Sequence, residues 1–325
     1  MKFRGHETFY IRKGWLNKGL HTVSENPIVF VNKDENPMDI LGVGSNMVKS
    51  IRYWLQATGL TREGIRGVRG QVLTPLGQLV FENDPYIEEL GTLCLLHYNL
   101  VKGKDLSTTW YYFFNRFNMT EFEKEDFTSS LKNWAALNGI DIPLRSLDDD
   151  FNCLINTYLP RYKTSPEKVD PESNMECPIS ELGLLDLRRA KGRVYAKTAP
   201  VSMAIDPMIA IAIILDNANG KKEVLLSELL NGDNNIGRVF NLDVISLMGI
   251  LDSAEQTGLV RVVRTAGLDI LKISTDMSFA ECVKQFYDIC ISYFSLCFSQ
   301  KRYLPTPANM QRRHQCRLHT VFQVP

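Results

Sequence analysis

The stretch from Gly42 to Glu82 constrains the fold more than any other part of this 325-residue chain. It reads GVGSNMVKSIRYWLQATGL, then TREGIRGVRGQ, then VLTPLGQLVFE. Apolar residues recur in its first part at the spacing of one helix face, at Met47, Ile51, Trp54 and Leu55, which predicts an amphipathic helix. A Gly- and Arg-rich segment and a β-like run follow, so the pattern predicts a basic hairpin after the helix.

The ends of this helix are also marked in the sequence. Ser45 or Asn46 is expected to cap its start with a side-chain oxygen, and Gly59 is expected to end it. A short preceding helix is predicted at residues 37–43, since proline is tolerated in a first helical turn. Helix, turn, helix and basic hairpin together are the outline of a winged helix, a module whose second helix enters the DNA major groove.

The same outline is predicted twice more along the chain. Helices at residues 125–138 and from near residue 144 precede a hairpin that turns at residues 191–192. Helices at residues 206–215, 223–230 and 242–256 precede a hairpin that turns at residues 266–267. The copies share an outline rather than residues, so we interpret them as tandem domains and not as a sequence repeat.

The predicted fold class is therefore mainly α with short β-hairpins, built from tandem winged-helix-like domains. Four parts are predicted along the chain: an N-terminal winged-helix-like domain at 1–104, a central helical or winged-helix-like domain at 105–200, a C-terminal winged-helix-like domain at 201–298, and a basic, disordered tail at 299–325. The tail has five Lys and Arg residues and no acid, so a nucleic-acid-binding arm is an alternative interpretation.

An aromatic run, STTWYYFFNRFN at residues 107–118, permits two interpretations. Exposed aromatic rings could stack on nucleic-acid bases. A helix buried in the core is the favoured interpretation, because Arg116 is the one cation within the run.

Composition restricts the function classes. The formal net charge is zero, so any contact with nucleic acid must use local basic patches. The N-terminus lacks the apolar segment of a signal peptide, and the longest apolar run, residues 207–215, is too short to span a bilayer. Seven scattered cysteines without a CxxC pair are typical of a reduced compartment. We therefore expect a cytoplasmic protein without a membrane partner.

Few residues suggest catalysis. His6 and Glu7 could act as a base or a metal ligand, or could form a hydrogen-bonded anchor for the N-terminus. The run Asp148 to Asp150 could bind a metal ion, but carboxylates near a helix start also favour the helix dipole. No metal site is predicted: His314, Cys316 and His319 would lack a fourth zinc ligand. No cofactor is evident, and a divalent metal ion is expected only if the chain nicks DNA.

The candidate DNA-binding residues lie on the predicted second helix and on the hairpin after it. Lys49 and Arg52 point away from the apolar helix face, and three glycines separate the hairpin cations, which would let the backbone approach a phosphate. The full predicted set is Ser45, Asn46, Lys49, Arg52, Arg66 and Arg69.

Several segments resemble a bacterial phage-defence family long described only as a domain of unknown function, whose genes accompany DNA phosphorothioation genes. The segments are FRGHETFYIRKGWLNKGL, GVGSNMVKSIRYWLQATGL, LTPLGQLVFENDPYIEELGTLCLLH, TWYYFFNRF and CPISELGLL, and the similarity covers residues 3–273. The chain is similar to the B component of the Ssp single-strand phosphorothioation system, to which DNA nicking is attributed. The tail departs from the pattern.

The resemblance implies a DNA-associated defence role with partner proteins of the same system, and it carries over no catalytic residue. Three functions are compatible with it. The chain could be a DNA-binding component that nicks DNA for backbone sulfur incorporation, a non-enzymatic DNA-binding adaptor, or a transcriptional regulator of the same locus. Each would use duplex or nicked DNA as a partner.

Overall fold

A computed structural model describes residues 1–32, 34–65, 68–160, 176–189, 192–200, 204–265 and 268–299. These ranges are mainly helical with small antiparallel sheets, as predicted. The N-terminal elements are α1 (Trp15–Glu25), α2 (Pro37–Leu41), α3 (Ser45–Ala57), β1 (Thr61–Ile65), β2 (Val68–Leu73), α4 (Pro75–Asn83) and α5 (Leu90–Lys102). The predicted order of helix, turn, helix and hairpin is confirmed here.

Local signals explain most of these boundaries. Pro37 is the first residue of α2, and the Asn36 side chain accepts a hydrogen bond from the Met38 amide. Gly59 follows α3 with φ +74°, a left-handed conformation that favours glycine. The predicted cap of α3 was wrong: Gly44 is the cap, it has no side chain that could bond to the first-turn amides, and Ser45 is the first helical residue.

Two three-stranded sheets follow, each with a hairpin. The middle elements are α6 (Thr108–Asn115), β3 (Glu121–Phe122), α7 (Lys124–Leu137), α8 (Leu144–Tyr158), a 3-10 helix (Pro178–Leu182), β4 (Leu185–Arg189) and β5 (Val194–Lys197). The last elements are α9 (Pro207–Ala218), β6 (Glu223–Leu225), α10 (Leu226–Asn231), α11 (Ile236–Val239), α12 (Val244–Glu255), β7 (Val260–Thr265), β8 (Leu268–Ile273) and α13 (Phe279–Ser299).

The two sheets have the same strand order, β3-β5-β4 and β6-β8-β7. In each, a short strand before the helix pair forms antiparallel hydrogen bonds with the last strand of the hairpin. One detail differs from prediction. Residues 223–225 form β6 and not the start of a helix, because Val224 is buried and pairs with Leu271 of β8.

We define three helix–hairpin motifs from these elements. The first comprises α2, α3, β1 and β2, the second α7, α8, β4 and β5, and the third α10, α12, β7 and β8. The second and third motifs have the additional strand described above, whereas the described residues of the first motif form a two-stranded sheet.

The aromatic run forms a core helix. Every residue from Thr108 to Asn115 in α6 is buried, and Trp110, Phe113 and Phe114 are at most 1% exposed. Their rings pack against other aromatic side chains, among them Phe127 of α7 and Tyr158 of α8. Base stacking needs an exposed ring face, so the buried interpretation is the correct one.

Residues Met1–Phe286 form one compact unit, and the chain from Tyr287 onward forms a second. The boundaries predicted at 104/105 and 200/201 fall inside the first unit and stay a prediction. The tail from residue 300, with the suggested zinc ligands, lies outside the described residues. None of the helices in the described ranges has the length and apolar character that a membrane span requires.

A buried histidine connects three parts of the compact unit. The Nε2 atom of His97 in α5 lies 2.7 Å from the Val239 carbonyl oxygen in α11, and its Nδ1 lies 2.8 Å from the Tyr158 hydroxyl in α8. Because a carbonyl only accepts, the proton sits on Nε2 and the tyrosine donates to Nδ1. Burial lowers the pKa of His97 to about 4 from its ordinary 6.5, so this histidine is neutral at physiological pH.

This arrangement predicts a pH-dependent stability. Between pH 4 and 6.5 the unfolded chain binds a proton at His97 that the folded chain does not, so the free energy of unfolding rises with pH over this window. We expect the free energy of unfolding of the wild type, relative to that of His97→Gln, to rise by about 3 kcal/mol from pH 4 to pH 6.5. Urea unfolding followed by circular dichroism at each pH measures this free energy. If it depends on pH in the same way for the two proteins, the prediction is contradicted.

Candidate nucleic-acid interface

One edge of α3 is exposed and polar. Ser45, Asn46 and Lys49 are exposed, whereas Ile51 and Trp54 are fully buried, as their helical spacing predicts. The Lys49 ammonium donates to the Asn46 side-chain oxygen over 3.3 Å. Gly44 offers no side-chain cap, and among the described residues no side chain bonds to the first-turn amides of α3, so these amides are available to a ligand. The edge therefore presents amide donors, a lysine and two short polar side chains together.

Arg52 lies at the border between α3 and the hairpin. Its Nη2 is 2.7 Å from Glu63 Oε1 in β1. Its carbonyl accepts a hydrogen bond from the Gln71 side chain of β2 over 3.0 Å. These bonds fix the hairpin on α3, so Arg52 has a structural task that the sequence did not indicate. The DNA contact predicted for it stays a prediction.

The described strands of the hairpin pair regularly except at one position. Thr61 pairs with Leu73, and the register shifts between Glu63 and Ile65. Gly64 lies at this shift with φ +145°, a conformation that side chains with a Cβ rarely adopt. Arg66 and the side chain of Arg69 lie outside the described part of the chain, so their predicted phosphate contacts stay a prediction.

The N-terminal segment contacts the first helix–hairpin motif through His6, in agreement with the hydrogen-bonded anchor that the sequence allowed. Ser50 of α3 donates to the His6 carbonyl over 3.0 Å, and the His6 ring stacks on Trp54. The His6 residue is 1% exposed. Its Nδ1 accepts from the Thr8 amide over 3.1 Å, which leaves the proton on Nε2. A base that is enclosed in this way does not reach a phosphodiester from its present position.

The partner of His6 is a buried carboxylate that sequence reasoning assigned to the helix dipole. Asp150 of α8 is 1% exposed, and its Oδ1 lies 2.8 Å from His6 Nε2 and 2.8 Å from the Arg4 amide. The Thr109 hydroxyl donates to Oδ2 over 2.6 Å. A signal was present, because Asp150 follows Leu147 by three residues and precedes Leu154 by four, which places it on the buried helix face.

The other two carboxylates of the run, and Glu7, are not part of this network. Asp148 pairs with Lys124 over 2.7 Å. Asp149 Oδ2 lies 2.8 Å from Arg4 Nε as an ion pair without hydrogen-bond alignment. Glu7 has no side-chain hydrogen bond or ion pair among the described residues.

Other reactive groups are enclosed or dispersed. Cys153 and Cys177 are buried free thiols, and burial raises the pKa of both, that of Cys177 to about 12. Such thiols are poor nucleophiles at neutral pH. Across the described ranges, no three His, Cys, Asp or Glu side chains are grouped so that they could hold a metal ion.

The chain is similar to two crystal structures of one protein. The structure of magnesium ion-bound SspB matches at 26% identity and a TM-score of 0.74, with 96% of this chain and 93% of that chain covered. A second SspB crystal structure matches at 25% identity and a TM-score of 0.74, with 98% and 95% covered. The similarity expected from the quoted segments is therefore confirmed over nearly the whole chain. No curated protein matches by sequence.

A protein-family match covers most of the compact unit, from residue 3 to residue 287. The chain therefore belongs to the family described as "Protein of unknown function (DUF4007)".

Proposed function

We propose that this chain is a DNA-binding component of a bacterial phosphorothioation-type phage-defence system, and that other proteins of that system are its partners. The observation that carries the proposal is the exposed edge of α3. There, amides without a side-chain partner among the described residues, Lys49 and two short polar side chains lie beside a hairpin. Helix N-termini and lysines are common phosphate ligands. The similarity to SspB supports the assignment to such a system.

In this proposal the helix–hairpin motifs are winged helices. The strand orders β3-β5-β4 and β6-β8-β7 support it, since each joins a short strand, a helix pair and a hairpin in the same way. For the first motif, α3 would be the helix in the major groove and β1–β2 the wing beside it. Ser45 and Asn46 would then face base edges, while Lys49 and Arg52 would face phosphates.

Two observations favour the first motif over the third as the DNA contact. Residues 1–104 hold thirteen Lys and Arg against ten Asp and Glu, whereas residues 201–298 hold seven against twelve. At the start of α12, which corresponds to α3, Val244 is 60% exposed and Ile245 is 82% exposed. An acidic region with an apolar helix tip is poorly suited to a polyanion.

A salt-dependence experiment tests the proposed wing. Each phosphate contact that is removed flattens the slope of log affinity against log salt by about one. We expect Arg66→Ala/Arg69→Ala to weaken binding to every duplex and to flatten this slope by about two. The matched control is Arg261→Ala/Arg264→Ala, which changes two exposed arginines on β7 of the third motif. If the folded Arg66→Ala/Arg69→Ala variant has unchanged affinity and an unchanged slope, these two arginines do not contact phosphates.

A second experiment tests base recognition by the start of α3. The Ser45 and Asn46 side chains do not cap the helix, so their replacement by alanine should leave the melting temperature nearly unchanged. We expect Ser45→Ala/Asn46→Ala to alter the preference among duplexes, measured by selection from a randomised pool. The salt slope should be retained, because neither side chain is charged. An unchanged preference would mean that these side chains do not read bases.

Nicking is a second candidate activity. The observation that favours it is the similarity to a magnesium ion-bound SspB, because magnesium assists many DNA-cleaving reactions. The carboxylates nearest His6 do not fit that ion here. The oxygens of Asp150 already accept three hydrogen bonds, and Asp149 lies against the Arg4 guanidinium. A non-enzymatic adaptor or a regulator of the same locus needs only the DNA contact.

Plasmid relaxation separates these activities. At a protein concentration that saturates the plasmid, we expect His6→Gln/Glu7→Gln to relax supercoiled plasmid at the wild-type rate, with and without magnesium, because His6 is enclosed and bonded on both ring nitrogens. Circular dichroism first establishes that the variant is folded. If a folded variant that still saturates the plasmid loses a relaxation activity that the wild type has, one or both residues belong to a nicking site.

A further inference from the structure

The N-terminal segment RGHETF, residues 4–9, is held in an unfavourable backbone conformation. Three residues with a Cβ have left-handed φ angles within five positions: Arg4 at +57°, Glu7 at +51° and Thr8 at +70°. Such residues disfavour this region because the Cβ approaches the backbone. A conformation of this kind persists only where its surroundings over-determine it, and it often serves a function. The surroundings of this segment therefore indicate its task.

The first constraint on the segment is the Asp150 carboxylate. It accepts the Arg4 amide and the His6 ring N–H, both over 2.8 Å, and lies in the core of the compact unit. A buried carboxylate needs all of its partners, because an unpaired charge in this environment is strongly unfavourable. The segment is thus held by its main chain at Arg4 and by its side chain at His6.

The second constraint is α3 itself. Ser50 donates to the His6 carbonyl over 3.0 Å, and the Trp54 indole donates to the Phe9 carbonyl over 2.9 Å. Gly5 approaches Tyr53 so closely that a Cβ there would lie 2.5 Å from the ring. Residues 5–9 therefore lie along the flank of α3, between its exposed edge and its buried face.

This position brings one more cation to the edge of α3. Lys2 is exposed, and its Nζ lies 5.2 Å from the centre of the Tyr53 ring. Asn46, Lys49 and Tyr53 form one stripe of the helix at spacings of three and four residues. Lys2 therefore continues the stripe that carries Lys49. No carboxylate of the described residues pairs with its ammonium.

The hairpin occupies the other border of the same edge. Arg52, which is bonded to Glu63 of β1, projects from α3 about 100° around the helix from Tyr53. The exposed start of α3 thus has the hairpin on one side and the N-terminal segment on the other. A DNA backbone that approaches α3 would meet both borders.

We propose that the His6–Asp150 pair is a positioning device: it holds the N-terminal segment on α3 so that Lys2 contacts a DNA phosphate on the border opposite the hairpin. The proposal rests on the proposed DNA-binding function and adds to it a second phosphate contact beside α3, on the side opposite the hairpin. Lys2 is the binding residue. His6 and Asp150 touch no DNA and act through the segment that they hold.

The experiment uses the full chain and a 20-base-pair duplex, with affinity measured from 50 to 300 mM salt. Lys2→Met keeps an unbranched side chain over Tyr53 and removes the charge. We expect it to flatten the slope of log affinity against log salt by about one and to leave the melting temperature unchanged. Lys132→Met, which removes an exposed lysine of α7, is the matched control and should leave the slope unchanged.

The positioning role is tested by combining variants. We expect His6→Gln to flatten the slope by about one on its own, and Lys2→Met to add nothing in that background. Full additivity of the two changes would overturn the positioning role. An unchanged slope in Lys2→Met beside a flattened slope in Lys49→Ala would overturn the contact at Lys2 and leave the DNA-binding function standing. Unchanged slopes in both would overturn that function as well.

Discussion

The buried carboxylate of Asp150 is the interaction on which the N-terminal half of the structure depends. A charge with 1% exposure is tolerated only if hydrogen bonds compensate for the lost water, and three donors from two distant parts of the chain do so. Arg4 and His6 come from the N-terminal segment, and Thr109 comes from α6. One carboxylate on α8 therefore fixes both the segment beside α3 and the helix at the centre of the core. The loss of any donor leaves part of a buried charge uncompensated.

Most elements could be predicted from the sequence because their signals are local. Pro37 begins α2, and Gly59 follows α3 in a left-handed conformation. Two features had no sufficient local signal. β6 has three residues, too few to show the alternation of apolar and polar side chains that predicts a strand. It forms because it pairs with β8, more than forty residues later in the chain. The cap of α3 is Gly44 although Ser45 follows it, so residue type alone did not settle the helix start.

The site was only partly predictable for the same physical reason. The exposure of Lys49 follows from the period of its own helix. The polar motif at His6 indicated that partners must exist if the residue is buried, but it could not name a carboxylate 144 residues away. The position of Asp150 among Leu147, Phe151 and Leu154 indicated a buried acid. Neither pattern alone predicts that His6 pairs with Asp150, because the fold determines which residues meet when they are so far apart in the sequence.

The three helix–hairpin motifs explain how a neutral chain can still have one locally basic region, which the proposed DNA contact requires. A net charge of zero hides an excess of bases in residues 1–104 and an excess of acids in residues 201–298. The helix that starts with Ser45 and Asn46 exposes polar groups, and the helix that starts with Val244 and Ile245 exposes aliphatic ones. Helices in the same position of two motifs therefore expose chemically different side chains at their first residues. Aliphatic side chains supply no hydrogen bond to a phosphate or a base edge. Since side chains and not topology decide what such a helix binds, similarity of fold among the motifs does not imply that all three contact DNA.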